Sequence, residues 1–537
     1  MAGRKAKPPA SGHGPADALA RLVKALCDPA AYAHPVEAPV RVIETHISYV
    51  LLTGRYAYKL KKPVDFGFVD YTTLERRRHF CEEEVRLNKR LAPDLYLGVA
   101  AVTGDPTHPR MDGEGEALEY AVRMREFPQE AQLDRVLARG VLEPDEVDEV
   151  AASLARFHAE AAVARPGDGY GGPDEVTGVV RGNFEATRAF VPEWIPADRF
   201  DHLSAWTDDF LARHRETIAG RLADGFVREC HGDAHLQNMA LVDGRVEIFD
   251  CIEFNPTYRF TDTMAEIAFT RMDFDARGRP DLGWRVLNRY LEIGGDYAGL
   301  ALLPLYLAYR AYVRAKVAAL GPETPERAEV IRRQVDLADA YTRPGRPALL
   351  IMHGVTASGK TSVSDALVEA LGAVRIRSDV ERKRLAGVPR RREPEAVGSG
   401  IYSADMTRAT YERIHALAED ALKAGFTVIL DATYLKAWQR QAAREAAERA
   451  GAPWWIVHCR APRAELVYRI QSRAEQPGNV SDATVDVLSA QLKAAEPLAG
   501  EEATRVVLVD TDAADPSEVP DLVAAVLDAP AERQGRA

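Results

Sequence analysis

Gly354-Val-Thr-Ala-Ser-Gly-Lys-Thr361 sets glycines around a loop and follows it with a lysine and a hydroxyl residue, directly after the apolar run Ala348-Leu-Leu-Ile-Met352. A buried strand that runs into a glycine-rich turn and then a helix aims backbone N–H groups, and the helix's positive end, at a polyphosphate. In that arrangement Lys360 reaches the β- and γ-phosphates of ATP and Thr361 holds Mg²⁺, with Gly354, Ser358, Gly359 and Ser362 completing the nucleotide-binding set. A second stretch, His231-Gly-Asp-Ala-His-Leu-Gln-Asn238, spaces an aspartate and an asparagine as a kinase catalytic loop does. There Asp233 accepts the proton of a substrate hydroxyl, while Asn238 and the later Asp250, in Ile248-Phe249-Asp250, bind Mg²⁺.

These groups need elements that bring them together. Leu241-Val-Asp-Gly-Arg-Val246 reads as a hairpin with a two-residue Asp-Gly turn, which sets residue 249 opposite residue 238. Asp250 falls one residue beyond that register, so the hairpin mouth must depart from regular pleating if Asn238 and Asp250 are to meet one ion. Chemistry of this kind also requires a strand lysine for the α/β-phosphates and a helix glutamate to hold it. Lys59, in Tyr56-Ala-Tyr-Lys-Leu-Lys61, is the first choice, and Lys61 on the same strand face is the runner-up. Among Glu82, Glu83 and Glu84, the spacing to Leu87 and Leu91 places Glu84 beside the buried stripe of its helix. The plain alternative for Lys59 is a solvated lysine on an edge strand. His231 reads as a structural residue bonding nearby backbone in preference to a proton carrier, and His235 by default as a surface histidine, with contact to substrate as the alternative.

Around the glycine-rich loop, Val374-Arg-Ile-Arg-Ser-Asp379 is a strand ending in an aspartate. The C-terminal strand ends of an open parallel sheet line its cleft, so Asp379 is the candidate for activating the acceptor hydroxyl, and Arg382 one turn later for binding an acidic substrate group. The competing reading makes Ser378 or Asp379 a helix N-cap. Thr427-Val-Ile-Leu-Asp431 is a further strand ending in a carboxylate, suited to Mg²⁺ through water, with Arg440 on the next helix. Arg469 and Arg473, four apart on a helix, share one face and can neutralise charge on a transferred phosphoryl group, with a salt-bridged surface helix as the plain alternative.

Strand patterning is expected near 40–61 and at 118–124, helix from about 74 to 91, helices from 143 to 222, extended chain over 226–254, and helices again from 261 to 341. After Thr342-Arg-Pro-Gly-Arg-Pro347 the chain alternates strand and helix, with strands at 348–353, 374–377, 427–431, 454–459 and 505–510. The two prolines and the glycine place a boundary there. The expected organisation is a disordered arm over 1–15, a kinase-like domain over 16–342, a P-loop domain over 347–528 and a disordered tail over 529–537. The fold class is an α+β bilobed kinase-like module followed by an α/β module with a parallel sheet.

The 537 residues are 46% hydrophobic and 28% charged, an ordinary globular composition. A formal net charge of -12 argues against broad nucleic-acid binding, although Arg382-Lys-Arg384 and Arg390-Arg-Arg392 are locally basic. Five cysteines without a CxxC pair indicate neither a disulfide framework nor a structural zinc site, which fits a reducing cytoplasm. No apolar stretch approaches the ~20 residues that span a bilayer.

The HGDxxxxN segment, Asp233 and Asn238 here, resembles the aminoglycoside phosphotransferase-like family over roughly 40 to 320. That resemblance implies a two-lobed kinase fold with ATP in the interlobe cleft, Asp233 as base, and Asn238 and Asp250 on Mg²⁺. The tract Phe249-Asp-Cys-Ile-Glu-Phe-Asn-Pro256 departs from the drug-inactivating members. Residues 347 to 512 resemble P-loop small-molecule kinases, a group that includes gluconate kinases, polynucleotide kinase and zeta toxins. This implies that Arg377-Ser-Asp379 is the substrate segment and that Arg473, with Ser481-Asp482-Ala483, belongs to a lid. The order of the halves is similar to a bacterial fusion family described as bifunctional aminoglycoside phosphotransferase-like and ATP-binding proteins, of which the chain is identified as a full-length member. The expected activity is ATP- and Mg²⁺-dependent transfer of a γ-phosphoryl group to hydroxyls of small molecules at both sites. Alternatives are a regulatory N-terminal module that has lost turnover, and a C-terminal nucleic-acid 5′-hydroxyl kinase.

Overall fold

Alternation along Tyr56–Lys61 sends Tyr58 and Leu60 to one face of a strand and Lys59 and Lys61 to the other, and the computed structural model shows what covers each face. It describes residues 14–37, 39–67, 69–321, 324–388, 400–474, 484–513 and 518–527. The proposed tail 529–537 and most of the proposed arm lie outside them. Pro15 already opens a helix, Pro15–Ala25. By packing, the chain divides into two compact units: one holds Met1–Val176 with Glu216–Glu266, the other Thr177–Arg215 with Ile267–Ala537.

In the first unit, β1 (Arg41–Glu44), β2 (Ser48–Leu52), β3 (Tyr56–Lys61), β4 (Tyr96–Asp105), β5 (His108–Met111) and β6 (Glu119–Arg125) form an antiparallel sheet in the order β1-β2-β3-β6-β4-β5. β3 lies between β2 and β6, so Lys59 does not sit on an edge. Helix Pro15–Ala25 covers one face, where Leu19, Leu22, Val23 and Leu26 join Leu51, Tyr58, Leu60 and Val102 in a core. Helix Leu74–Asn88, capped by the Thr73 hydroxyl accepting from Arg76 N at 3.2 Å, lies on the other face. Cys81 from this helix clusters with Leu95, Tyr96 and Val122, and with Ala240 and Val242 of the hairpin beyond.

The extended stretch 226–254 gives β7 (Val227–Glu229), β8 (Met239–Val242) and β9 (Arg245–Ile248), with β8 paired to β9. β10 (Phe260–Asp262) lies where helix was expected from 261, because it returns to pair with β7 before the helix starts at Thr263. Asp243 and Gly244 turn the β8–β9 hairpin with φ of 52° and 74°, the left-handed pair that a two-residue hairpin requires.

In the second unit, β11 (Leu349–His353), β12 (Val374–Arg377), β13 (Val428–Asp431), β14 (Trp454–Arg460) and β15 (Val506–Asp510) form a parallel sheet in the order β12-β13-β11-β14-β15. Helices between its strands bury both faces, which is why β11 is apolar without alternation. Leu350, Met352, Ile429 and Val457 pack with Val363 and Leu367 of helix Lys360–Leu371 and with Val519 and Val523. The first unit therefore belongs to an α+β kinase-like fold and the sheet of the second to an α/β P-loop fold.

The packing division does not follow the Thr342–Pro347 boundary. Helices upstream of it group with the P-loop sheet, and Trp284 packs against that sheet's core. Among the described residues, no helix is long and apolar enough to cross a membrane.

Candidate active sites

In the first unit, β3 and helix Leu74–Asn88 present opposite charges to each other across the buried face. Lys59 Nζ donates to Glu84 Oε1 at 2.8 Å and to Asp250 Oδ1 at 2.5 Å, and Lys61 Nζ donates to Glu84 Oε2 at 2.6 Å. The strand lysine, the helix glutamate and Asp250 are thus brought together. Both lysines use the same carboxylate, one on each oxygen. Lys61 also pairs with Glu253, which accepts from the Tyr71 hydroxyl at 2.5 Å. Burial alone would raise the Glu84 carboxyl, but Lys59 and Lys61 hold it down to about 2. Burial alone would lower the Lys59 ammonium, but Asp250 and Glu84 hold it well above the ordinary lysine value.

Hairpin β8–β9 sets the register between Asn238 and Asp250. Phe249 N donates to Asn238 O at 2.9 Å, and Asp250 then leaves the pleat with φ of 65°. Asn238 Nδ2 donates to Asp233 Oδ2 at 3.0 Å and His235 Nε2 lies 3.2 Å from the same oxygen, so both orient the Asp233 carboxylate. His235 is buried, 5% exposed, rather than a surface histidine, because the 231–238 loop folds it back onto Asp233. His231 is fully buried and its Nε2 bonds Phe249 O at 2.8 Å. A carbonyl only accepts, so Nε2 carries the proton and Nδ1 is left to accept from Asp233 N at 3.3 Å. Burial keeps this imidazole below its ordinary pKa.

Two carboxylates that brace the site, Glu266 and Glu253, were not among the residues expected there. Glu266 accepts from the N–H groups of His231 (3.0 Å) and Gly232 (2.6 Å) and bonds His158 at 2.8 Å, anchoring the 231–238 loop from beneath. Gly232 has φ of 88° and a Cβ there would lie 3.0 Å from Tyr258 O, so a glycine is required. Glu253 was visible only as part of an unusual tract.

The side-chain oxygens of Asn238 and Asp250 suit a hard divalent cation, so the residues present fit Mg²⁺.

In the second unit, β11 leads into a loop whose glycines are sterically fixed. Gly354 has φ of 145°, and a Cβ on it would meet Cys459 O and come 2.6 Å from Ser358 Oγ. Gly359 has φ of 81°, and its Cβ would meet Thr511 at 3.0 Å. Both glycines let the loop pack against Cys459 and Thr511, and a glycine loop running from a strand end into a helix N-terminus fits a bound polyphosphate. Lys360 Nζ lies across the loop on Val355 O at 2.7 Å, Ser358 is buried, and Thr361 and Ser362 open the helix exposed to solvent. Below the loop, burial together with His458, Arg440 and Lys360 pushes His353 down to about 3.

Asp379 lies in the first turn of helix Ser378–Leu385, where Lys383 Nζ is 3.0 Å from its Oδ2. Arg377 occupies the N-cap position, so neither Ser378 nor Asp379 caps that helix. Asp431 stands at the C-terminal end of β13 with Arg377 Nε 3.7 Å from its Oδ2. Three expected arginines are otherwise engaged. Arg382 donates to Ile401 O and Thr407 Oγ1, both at 3.2 Å, Arg440 pairs with Glu502 at 3.0 Å while 1% exposed, and Arg469 bonds Glu465 at 2.7 Å and Thr511 O at 2.8 Å. Their positions close to loops and strand ends were legible, but their fixed carbonyl and carboxylate partners were not. The Arg473 side chain, Arg390-Arg-Arg392 and Ser481-Asp482-Ala483 lie outside the described residues.

Fold and sites together define a protein with a kinase-like unit and a P-loop unit. The chain is 32% identical over 464 residues to the uncharacterized protein Rv2004c of Mycobacterium tuberculosis, spanning 85% of this chain and 91% of that protein, and it belongs to that protein's family. The uncharacterized protein Mb2027c of Mycobacterium bovis matches to the same extent. An AAA domain family matches residues 349–498. Among solved structures, a gluconokinase from Sinorhizobium meliloti is 24% identical, covering 34% of this chain and 93% of its own, with a TM-score of 0.26. A choline/ethanolamine kinase family protein from Mesorhizobium loti is 12% identical, covering 60% and 94%, with a TM-score of 0.38.

Proposed function

We propose that the protein is a cytoplasmic enzyme with two ATP- and Mg²⁺-dependent phosphotransfer sites, each acting on a hydroxyl of a small molecule, and that it is a member of the fusion family of aminoglycoside phosphotransferase-like and P-loop kinases. The observation that carries the reading is Lys59 held between Glu84 and Asp250, residues far apart in sequence that converge on one ammonium group. In the first unit Lys59 contacts the α/β-phosphates while Glu84 fixes its direction, Asp250 and Asn238 hold Mg²⁺, and Asp233 accepts the proton of the attacking hydroxyl. Bound Mg²⁺ supplies neutralisation of phosphate charge. In the second unit the Gly354–Thr361 loop cradles the phosphates, Lys360 leaves Val355 O for the β- and γ-phosphates, and Asp379 orients the acceptor. Arg473 is proposed to neutralise transferred charge there. The net acidity of the chain supports small-molecule acceptors over nucleic acid.

The test uses the full chain and its Asp233→Asn and Lys360→Ala variants, screened for ADP release with sugars, aminoglycosides, nucleosides and gluconate-like acids. Asp233→Asn is expected to lose turnover of one acceptor class by about 10²–10⁴-fold and Lys360→Ala to abolish turnover of the other, each variant keeping the class the other loses. Undiminished turnover of every acceptor in Asp233→Asn would remove catalysis from the first unit and leave it a regulatory module.

A further inference from the structure

Helix Pro280–Gly294 lies upstream of the P-loop strand and outside the matched 349–498, yet it docks on the edge of the P-loop sheet within the second unit. β12 is a terminal strand, so its outer backbone groups lack a strand neighbour. Asn288 takes that place: its Nδ2 donates to Ala373 O at 2.9 Å and its Oδ1 accepts from Arg375 N at 2.6 Å. One turn before it, Trp284 packs on the sheet core, and its Nε1 lies 2.5 Å from where a Cβ on Gly372 would fall. One turn after it, Glu292 is 1% exposed, accepts from Arg375 Nη2 at 2.8 Å and lies 3.6 Å from Arg377 Nη1. Residues 284, 288 and 292 are spaced four apart, so a single helix face makes all three contacts.

The two arginines lead to the nucleotide end of the sheet. Arg375 Nη1 donates to Ser364 Oγ at 3.1 Å, and that oxygen lies 3.3 Å from Asp431 Oδ2. Arg377 Nε stands 3.7 Å from the same carboxylate oxygen. One buried carboxylate, Glu292, is therefore shared by both cations that flank Asp431. Arg375 also pairs with Asp365, so without Glu292 it keeps a carboxylate, whereas Arg377 has Asp431 as its remaining partner in a low-dielectric site.

We infer that Glu292 is a positioning residue of the P-loop site: it draws Arg377 aside, with Arg375 held beside it, so that Asp431 stays available to a divalent cation or its water. This rests on the P-loop reading proposed above. The functional P-loop unit then extends upstream to include helix Pro280–Gly294.

The experiment uses the full chain carrying Lys59→Met, which removes the phosphate contact of the first unit; it titrates fluorescent mant-ADP into that parent at increasing Mg²⁺ and records the Mg²⁺ concentration at half-maximal binding. Glu292→Gln keeps the volume and removes the charge, and it is expected to raise that concentration about tenfold, the scale on which outer partners of metal ligands act. Adding Arg377→Gln removes a competing cation and is expected to reverse most of the rise. Glu292→Asp, which keeps the charge, is expected to stay close to the parent. An unchanged Mg²⁺ requirement in Glu292→Gln, or a rise that Arg377→Gln does not reverse, overturns the inference. Should Glu292→Gln fold poorly, Arg377→Gln alone decides: a lowered requirement supports the inference and a raised one overturns it. Lys360→Ala separates the two readings. If it binds mant-ADP as the parent does, the P-loop reading itself fails; if it alone loses binding while Glu292→Gln matches the parent, only the role of Glu292 fails.

Discussion

Two lysines on one strand face share Glu84, but their surroundings assign them different work. The Lys59 side chain is 12% exposed and faces Asp250, itself 47% exposed, at the open side of the site. Lys61 is 1% exposed between Glu84 and Glu253. Removing a buried cation strands its carboxylates, a loss of about 3–5 kcal/mol, whereas the more open pair with Asp250 contributes little. Lys61→Met is therefore expected to destabilise the chain by about that amount in urea denaturation. Lys59→Met is expected to abolish turnover at the first site in the ADP-release assay with a smaller loss of stability. If Lys61→Met loses turnover while retaining full stability, the roles are exchanged. Sequence spacing was enough to place Lys59, Glu84, Asp233, Asn238 and Asp250 as candidates, because each sits in a short pattern with a chemical reason. It could not show Glu253 or Glu266, whose roles come from contacts with Lys61, Tyr71 and the His231-Gly232 backbone, distant in the chain. His235 was misjudged for the same reason, since burial of a loop residue is decided by where the loop folds.

The elements that hold these residues carry their own charge economy. Glu84 on helix Leu74–Asn88 and Glu266 beneath the 231–238 loop are both fully buried and both held down to about 2, Glu84 by its lysines and Glu266 by His158, His231 and backbone donors against the opposing effect of burial. A carboxyl whose folded pKa lies below its ordinary 4.5 stabilises the fold above that value and loses the contribution as pH falls toward about 2. His231, depressed by burial from 6.5, acts with the same sign, because the unfolded chain takes up its proton first. Melting temperature followed by circular dichroism is expected to hold above pH 6.5, to fall below it, and to fall more steeply below 4.5. In Glu84→Gln the acid slope should be shallower; an unchanged slope would show that Glu84 is not what acid attacks. At this scale the parallel strands were legible because continuous apolar runs ended in polar or glycine residues, and β12 matched its expected span, 374–377. β4 and β5 were not foreseen: Gly98, Ala100 and Ala101 weaken the strand signal of Tyr96–Asp105. Helix Pro15–Ala25 did have one, with proline at its start and Leu19, Leu22 and Val23 at helical spacing.

For the whole molecule, a linker and a packing boundary turn out to be different things. Thr342-Arg-Pro-Gly-Arg-Pro347 breaks the backbone pattern, which is all that proline and glycine can report. Packing is decided by side chains far upstream, where Trp284, Asn288 and Glu292 serve β12 and the sheet core. A fragment of residues 347–537 loses all three. Its β12 edge would expose unpaired backbone groups, Gly372 would lose the indole over it, and Arg375, 8% exposed in the intact chain, would lose the Glu292 carboxylate. A fragment of residues 267–537 keeps them. With two or more kcal/mol at stake, and about 2–4 °C per kcal/mol for a chain of this size, the shorter fragment is expected to melt roughly 5 °C or more below the longer one. It should also bind mant-ADP more weakly and, through its open strand edge, aggregate at lower concentration. Equal melting temperatures and equal nucleotide affinity in the two fragments would show that the P-loop module stands alone and that the upstream helix merely rests on it.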